Sequence, residues 1–160
     1  MNIDEMQAFM TPGRDLGVTA WEPLPQDMLT QFEVLTKSND PLHTDPQWVQ
    51  QHTDYPGTIA PGFLTLSLLP YFVQQLDLTP PGYHALNYGF DKIRWIAPVP
   101  VDSRVRATFT AGGVKNRISG QPGYVVQYDV SLEVEGLQRP AMVAQWLGAI
   151  VPDADTAGGD

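Results

Sequence analysis

Residues 38–69, SNDPLHTDPQWVQQHTDYPGTIAPGFLTLSLL, join a polar loop to the start of an apolar helix. The loop is rich in carboxylate and imidazole side chains. The helix start at Pro61 and Gly62 has backbone N–H groups without intrahelical acceptors. This stretch can therefore place an acid or base beside a site for an anion. The alternative is a capped turn that joins two structural helices.

Helix signals occur twice in this stretch. Asp45 followed by Pro46 is typical of an Asx cap with proline at the first helical position, which predicts a helix over residues 46–52. A second helix is expected to begin near Pro61, and its leucines make it apolar on nearly every side, as in a buried central helix. Pro70 predicts a kink in that helix, because proline lacks an N–H and clashes with the preceding turn.

Apolar patterns predict the elements on either side. Before the polar loop we expect helices over residues 4–10 and 26–36, an edge strand over 16–21 and a loop over 37–44. The second helix should pack through one face, formed by Met28, Leu29, Phe32 and Leu35. After the central helix, strands are expected over residues 86–95, 104–111, 124–135 and 141–151, with glycine turns at 112–113 and 120–123.

These strands follow one another with short connections, so an antiparallel sheet is predicted. Pattern alone therefore gives an α+β fold, in which a curled antiparallel sheet wraps a long buried helix. Such a sheet has an exposed edge, and pairing with a second copy would cover it. We expect a single domain over residues 1–151. Residues 152–160 have no large apolar side chain and are expected to form a flexible tail.

Composition argues against several classes of function. The 160 residues carry a formal net charge of −9, which disfavours nucleic acid and anionic membranes as partners. The absence of cysteine removes disulfides, thiolate nucleophiles and cysteine-ligated zinc, and it fits a reducing cytoplasm. The longest apolar stretch, residues 63–73, is shorter than the roughly 20 residues of a spanning helix. No signal-peptide pattern is visible at the N-terminus, so we expect a cytoplasmic protein.

His43 is the main candidate for proton transfer. It lies in the polar loop near Asp40 and Asp45, and imidazole can take up and release a proton near neutral pH. The alternative is a polar residue that bonds a neighbouring backbone group. We predict no metal site, because His43 and Asp45 alone lack the spacing of a metal-binding motif.

Gly62 is the candidate for the anion site. A glycine at the start of a helix can present its N–H to an oxyanion. The alternative is that the glycine only permits the helix to pack tightly against the sheet.

Four segments, in order, resemble one known family. Residues 39–46, NDPLHTDP, resemble the hydratase motif D-x-N-P-x-H-x-D of the MaoC-like dehydratases. Residues 57–70, GTIAPGFLTLSLLP, resemble the family's second motif, I-x-H-G followed by the central helix. Residues 87–94 and 97–101 resemble the strand that comes next. The amino-acid sequence of these segments is most similar to the nodulation-protein-N-like branch of the family, and the similarity covers nearly the whole chain.

The resemblance implies a hot-dog fold, in which the sheet wraps a long central helix, and a homodimer. It implies a hydro-lyase of fatty acid metabolism. Such an enzyme hydrates a trans-2-enoyl thioester of coenzyme A to the (R)-3-hydroxyacyl thioester, or catalyses the reverse. No cofactor is implied beyond the coenzyme A that the substrate carries. In the family, an Asp and a His activate the water and deliver the proton, and a backbone N–H near the helix glycine polarises the thioester carbonyl.

Only one residue of the family's catalytic Asp–His pair is present in this sequence. His43 and Asp45 match the family residues, but Ser38 stands at the position of the catalytic Asp and Asp40 at that of the Asn. Serine cannot act as a carboxylate base at neutral pH. The resemblance therefore leaves His43 as base or water-orienting residue, with Asp40 as its provisional partner in place of Ser38.

The second motif also departs from the family. Gly62 matches the helix glycine, whereas Pro61 stands where the family has a His. The resemblance implies that the oxyanion donor is Gly62, with Pro61 and Ala60 beside the substrate. A hot-dog thioesterase and an acyl-CoA-binding protein without catalysis are the alternatives. Ser38 and Pro61 favour the binding protein.

Overall fold

The computed structural model describes residues 3–117 and 123–154. Most of the predicted turn at residues 120–123, and residues 155–160 of the predicted tail, lie outside these ranges. The helices are α1 Ile3–Phe9, α2 Gln26–Thr36, α3 Pro41–Thr44, α4 Pro46–His52, α5 Gly62–Ser67 and α6 Leu69–Gln74. The strands are β1 Asp15–Val18, β2 Glu22–Pro23, β3 Tyr83–Trp95, β4 Arg104–Arg117, β5 Tyr124–Val134 and β6 Met142–Pro152.

The strands form one antiparallel sheet in the order β1-β4-β5-β6-β3, with β2 pairing with β4 as well. The predicted α+β architecture with an antiparallel sheet is confirmed. β3 does not pair with β4, its neighbour in sequence, but with β6, from Tyr83 opposite Pro152 to Trp95 opposite Met142. β3 therefore lies at one edge of the sheet, and β1 lies at the other, as predicted for residues 16–21.

The core lies between the sheet and the central helices. Val105, Ala107 and Phe109 on β4 are fully buried, as the alternation along this strand predicts. They belong to the same buried cluster as Leu64 of α5 and Phe72 of α6. Burying a side chain of this size stabilises the fold by roughly 1.5–3 kcal/mol. The cluster therefore fixes the central helices against the sheet.

The prediction of one long central helix is wrong. The helix is divided into α5 and α6, which meet at Leu68. Pro70 lies in the first turn of α6, where a missing N–H costs no hydrogen bond. The predicted kink is thus a complete break. The prediction of burial on nearly every side is also wrong, because Phe63 and Tyr71 are exposed.

α2 has the predicted bounds, but its buried face differs from the prediction. Leu29 is buried, as expected, whereas Leu35 is 82% exposed. Glu33 is buried in its place, with 4% of its surface exposed. The face that is covered depends on the polar loop that packs against α2, and periodicity does not report on that loop.

The loop predicted over residues 37–44 contains a short helix, α3. The Asp40 carboxylate accepts a hydrogen bond from the Leu42 N–H at 2.9 Å and so caps this helix. Asp45 caps α4 in the same way, accepting from the N–H groups of Gln47 and Trp48 at 2.9 and 3.0 Å. The cap predicted at Asp45 is confirmed.

The sheet extends one residue past the predicted domain end at residue 151. β6 continues to Pro152, and the Asp153 carboxylate lies 2.8 Å from Nδ1 of His84. The first residues of the predicted tail are therefore attached to β3. Within residues 3–117 and 123–154, no helix has the length and apolar character needed to cross a membrane.

Candidate active site

His43 is held in one orientation by its ring and its backbone. Its Nδ1 atom lies 2.7 Å from the carbonyl oxygen of Ile59. Because a carbonyl can only accept, Nδ1 must carry the hydrogen, and Nε2 keeps a lone pair that can accept a proton. The backbone carbonyl of His43 accepts a hydrogen bond from the Gln26 side chain at 2.8 Å. In the neutral tautomer that this contact selects, Nε2 is therefore the nitrogen that can act as a base.

Two cavities have His43 and Gly62 in their walls. The Ser38 cavity has a volume of about 510 Å³ and is also lined by Ser38, Glu33 and Pro61. The Trp95 cavity has a volume of about 290 Å³, and its other lining residues include Tyr55, Ile59, Ala60, Thr65 and Trp95. His43 and Gly62 line both cavities, so a histidine and the start of a helix lie side by side in their walls.

Of the three residues predicted at the oxyanion site, Gly62 is the one whose backbone N–H is free to donate. Among the described residues, no group accepts from its N–H, because the first N–H groups of a helix have no intrahelical acceptor. The Ala60 N–H donates to the Val99 carbonyl at 2.7 Å, and Pro61 has no N–H. The packing alternative for Gly62 also holds, since a Cβ there would stand 3.0 Å from the Trp95 indole.

The structure brings some of the predicted site residues together and separates others. Ser38, His43, Pro61 and Gly62 line the Ser38 cavity, and Ala60 lines the Trp95 cavity. Asp40 is exposed, serves as the cap of α3 and lines neither of these cavities. The provisional partner of His43 therefore lines neither of the two cavities that His43 lines.

Glu33 is a site residue that the motifs did not indicate. It is buried on α2, lines the Ser38 cavity with His43, and its Oε2 atom accepts a hydrogen bond from the Asp40 N–H at 3.2 Å. One signal was present in the sequence. Glu33 follows Leu29 by one helical turn and so shares its buried stripe, where an ionisable residue is rarely found.

Comparison with known proteins agrees with the resemblance in the sequence. The family model of the MaoC like domain matches residues 7–134. The chain is 38% identical over 135 residues to the 3-hydroxyacyl-thioester dehydratase Z of Mycobacterium tuberculosis, a match that covers 83% of this chain and 86% of the relative. It is 34% identical over 139 residues to Nodulation protein N of Rhizobium leguminosarum bv. viciae, covering 86% and 85%.

The fold is also that of a solved relative. The monoamine oxidase regulatory protein of Archaeoglobus fulgidus superposes with a TM-score of 0.72 at 20% sequence identity, over 93% of this chain and 95% of that one. The chain therefore has the hot-dog fold and belongs to the family of MaoC-like dehydratases.

Proposed function

We propose that this protein adds water to a trans-2-enoyl thioester of coenzyme A to give the (R)-3-hydroxyacyl thioester, or catalyses the reverse dehydration. The observation that carries the proposal is the fixed ring of His43, a residue that lines two cavities together with Gly62 at the start of α5. Family membership and the relative named as a 3-hydroxyacyl-thioester dehydratase support it. Coenzyme A enters as part of the substrate, and the reaction needs no further cofactor.

The reaction requires one base and one oxyanion donor. Nε2 of His43 takes a proton from water, the water oxygen bonds to Cβ, and the electron pair of the double bond moves onto the thioester oxygen. The Gly62 N–H donates to that oxygen and stabilises the enolate. The imidazolium then returns the proton to Cα, so the elements of water have been added across the double bond. Dehydration follows the same steps in reverse.

An apolar groove along the central helices suits the acyl chain. The Ser38 cavity shares Ser67 with a cavity of about 220 Å³ lined by Leu66, Leu69 and Phe90. That cavity shares Pro70 and Trp146 with one of about 400 Å³. The three spaces follow α5 and α6 away from His43. We propose that the enoyl carbons start at His43 and that longer chains extend along this groove.

A second candidate function rests on Ser38. The family carboxylate position is occupied by an exposed serine, which cannot take a proton from water at neutral pH. A protein that binds acyl-CoA without turnover is therefore the alternative. It has the same fold and the same ligand, and it differs only in the absence of chemistry.

Crotonyl-CoA distinguishes these functions in one assay. Hydration removes the enoyl absorbance without releasing thiol, a thioesterase releases thiol, and a binding protein does neither. We expect loss of absorbance without thiol. His43→Ala should lower the rate by about 10²–10⁴-fold, the usual contribution of a positioned base. His52→Ala is the matched control, because His52 is exposed on α4 and stacks on Trp48. Thiol release, or equal rates for both variants, would overturn the proposal.

We also propose that two copies form a homodimer through β3. Among the described strands β3 pairs only with β6 and is therefore a sheet edge, and it exposes large apolar side chains, among them Leu86, Tyr88 and Trp95. Phe63 of α5 is exposed next to the Trp95 ring, with ring centroids 5.5 Å apart. A second copy would cover this surface. We place the protein in the cytoplasm, where a chain without cysteine is at no disadvantage.

A further inference from the structure

Glu33 lies in the proposed site with no role in the family motif. Its side chain is buried, and a buried carboxylate costs stability unless it is bonded or has a function. Oε2 accepts from the Asp40 N–H, and among the described residues no group donates to Oε1. The residue therefore brings a partly satisfied carboxylate to the wall of the Ser38 cavity.

We propose that Glu33 is a catalytic residue that supplies, from α2, the carboxylate that the MaoC-like motif has at the position of Ser38. The inference rests on the proposed hydratase function. Four residues with complementary chemistry line the same cavity: the base His43, the N–H donor Gly62, the serine at the family position, and Glu33. Asp40, the carboxylate nearest to Ser38 in sequence, is not among the residues that line this cavity.

The position of this carboxylate relative to His43 is fixed by two contacts between α2 and the polar loop. At one end of α2, the Gln26 side chain donates to the His43 carbonyl at 2.8 Å. Two turns later, Glu33 accepts from the Asp40 N–H at 3.2 Å. A helix that is tied at both ends to the segment carrying the base holds its side chains more precisely than a loop does. Ser38 and Glu33 line the same cavity.

The chemistry gives Glu33 a defined part. The attacking water donates one O–H in a hydrogen bond to Oε1 of Glu33. The proton of its other O–H passes to Nε2 of His43. The water is then held by two acceptors with its oxygen directed at Cβ. The negative carboxylate also stabilises the imidazolium that forms. Glu33 gains and loses no proton over the cycle, since the proton taken by His43 is the one returned to Cα.

The alternative is that Glu33 only braces the loop. Glu33→Gln separates the two roles, because glutamine keeps an oxygen that can accept from the Asp40 N–H but carries no charge. The kcat for crotonyl-CoA hydration should fall about 10²–10⁴-fold, with KM and melting temperature little changed. Asp27→Asn is the matched control, since Asp27 is an exposed carboxylate in the first turn of the same helix. Its kinetics should equal those of the wild type.

Rescue gives a second readout that a bracing role would not produce. Ser38→Asp in the Glu33→Gln background returns a carboxylate to the family position and should raise kcat by about tenfold or more. A Glu33→Gln variant with wild-type kcat overturns the inference alone. A wild type that does not hydrate enoyl thioesters of any chain length overturns the proposed function and the inference with it.

A crystal structure of the wild-type protein with (R)-3-hydroxybutyryl-CoA decides the matter if Glu33→Gln does not fold. The 3-hydroxyl marks the place of the water oxygen. We expect the Glu33 carboxylate at hydrogen-bond distance from it, about 2.5–3.0 Å. A 3-hydroxyl that instead bonds Ser38 or Asp40, with Glu33 turned away, refutes the inference.

Discussion

Gly62 satisfies two demands at one position. Its N–H has no acceptor among the described residues, so it remains available to a thioester oxygen. Its Cα lies against Trp95, whose Nε1 donates to the Gly62 carbonyl at 3.0 Å. Only the contact with Trp95 requires glycine, because any residue except proline would have a free N–H at this position. Together the two features place the proposed oxyanion donor against the edge strand β3.

Gly62→Ala should disturb both the N–H of residue 62 and the packing of this residue against Trp95. The added Cβ would meet Nε1 and Cε2 of Trp95 at 3.0 Å, so the indole must move. We expect kcat/KM to fall about 10- to 100-fold, because a displacement near 1 Å has effects of this order, and stability to fall by about 1–3 kcal/mol. Gly57→Ala is the control, since its Cβ would meet Val101 at an ordinary 3.7 Å. Equal kinetics for the two variants would contradict this account.

Tyr128 gives the fold a response to alkaline pH. It is packed between the rings of Phe109 and Trp146, and burial raises its pKa to about 12. In the unfolded chain the phenol ionises near pH 10. Below pH 10 both states are neutral and stability does not depend on this group. Between pH 10 and 12 only the unfolded state releases the proton, so stability is lost as pH rises.

Tyr128→Phe should remove this dependence. Over the interval from pH 10 to 12, the wild type should lose roughly 2–3 kcal/mol more unfolding free energy than the variant, at about 1.4 kcal/mol per pH unit. Urea unfolding at several pH values measures the difference. Tyr55→Phe, at an exposed tyrosine, should keep the wild-type slope. Parallel loss of stability in wild type and Tyr128→Phe would show that the phenol ionises without unfolding.

At the scale of elements, the polar loop shows why sequence patterns succeed and fail. Asp45-Pro46 predicted α4 correctly, and the same signal at Asp40-Pro41 begins α3, which was predicted as loop. The two helices differ in length, since α3 has four residues and α4 has seven. Local chemistry therefore predicts where a helix begins, whereas its length depends on contacts made elsewhere in the chain.

Asp45→Ala tests the cap of α4. The carboxylate accepts from two backbone N–H groups, so its loss should cost about 1 kcal/mol. For a protein of this size that corresponds to a fall of about 2–4 °C in melting temperature. Asp54→Ala, another exposed aspartate, is the control. An Asp45→Ala variant with unchanged stability but greatly reduced hydration would show that Asp45 acts in the chemistry.

Of the candidate site, the sequence predicted only the residues that lie within the family motifs. His43 and Gly62 belong to recognisable segments, and they line the same cavities. Glu33 lies outside the motif, and its burial results from the packing of the loop on α2, a contact between elements that periodicity does not describe. The strand pattern gave the number and direction of the long strands, but it did not give the pairing of β3 with β6. The turn predicted at residues 112–113 was wrong, because β4 continues through both glycines to Arg117, with an irregularity in its pairing with β5 between Ala111 and Gly113.

At the scale of the whole molecule, the exposed surface of β3 is where the proposed homodimer would form. Its apolar side chains lie at an open edge of the sheet, which is where a second copy can add its own β3. The hot-dog sheet would then continue from one copy into the other.

Tyr88→Lys should weaken this pairing. Tyr88 is 59% exposed on β3, and a lysine there would place a charge in the interface and remove apolar area. Sedimentation should show a dimer for the wild type and monomers for the variant at micromolar concentration. Leu35→Lys is the control, because Leu35 is also exposed but lies on α2. A monomeric wild type, or a variant that remains a dimer, would exclude pairing through this part of β3.

The pairing of β3 with β6 has a consequence for synthesis of the chain. β4 and β5 both emerge from the ribosome after β3 and before β6. During that interval β3 has no partner on either side, although it carries several large apolar side chains. Unpaired apolar strands of this kind are sites of aggregation in a nascent chain. Until β6 is made, both edges of β3 are open. Another chain can then pair with the edge that β6 occupies in the folded protein. In the homodimer that we propose, correct pairing of two copies would therefore follow completion of the sheet in each chain.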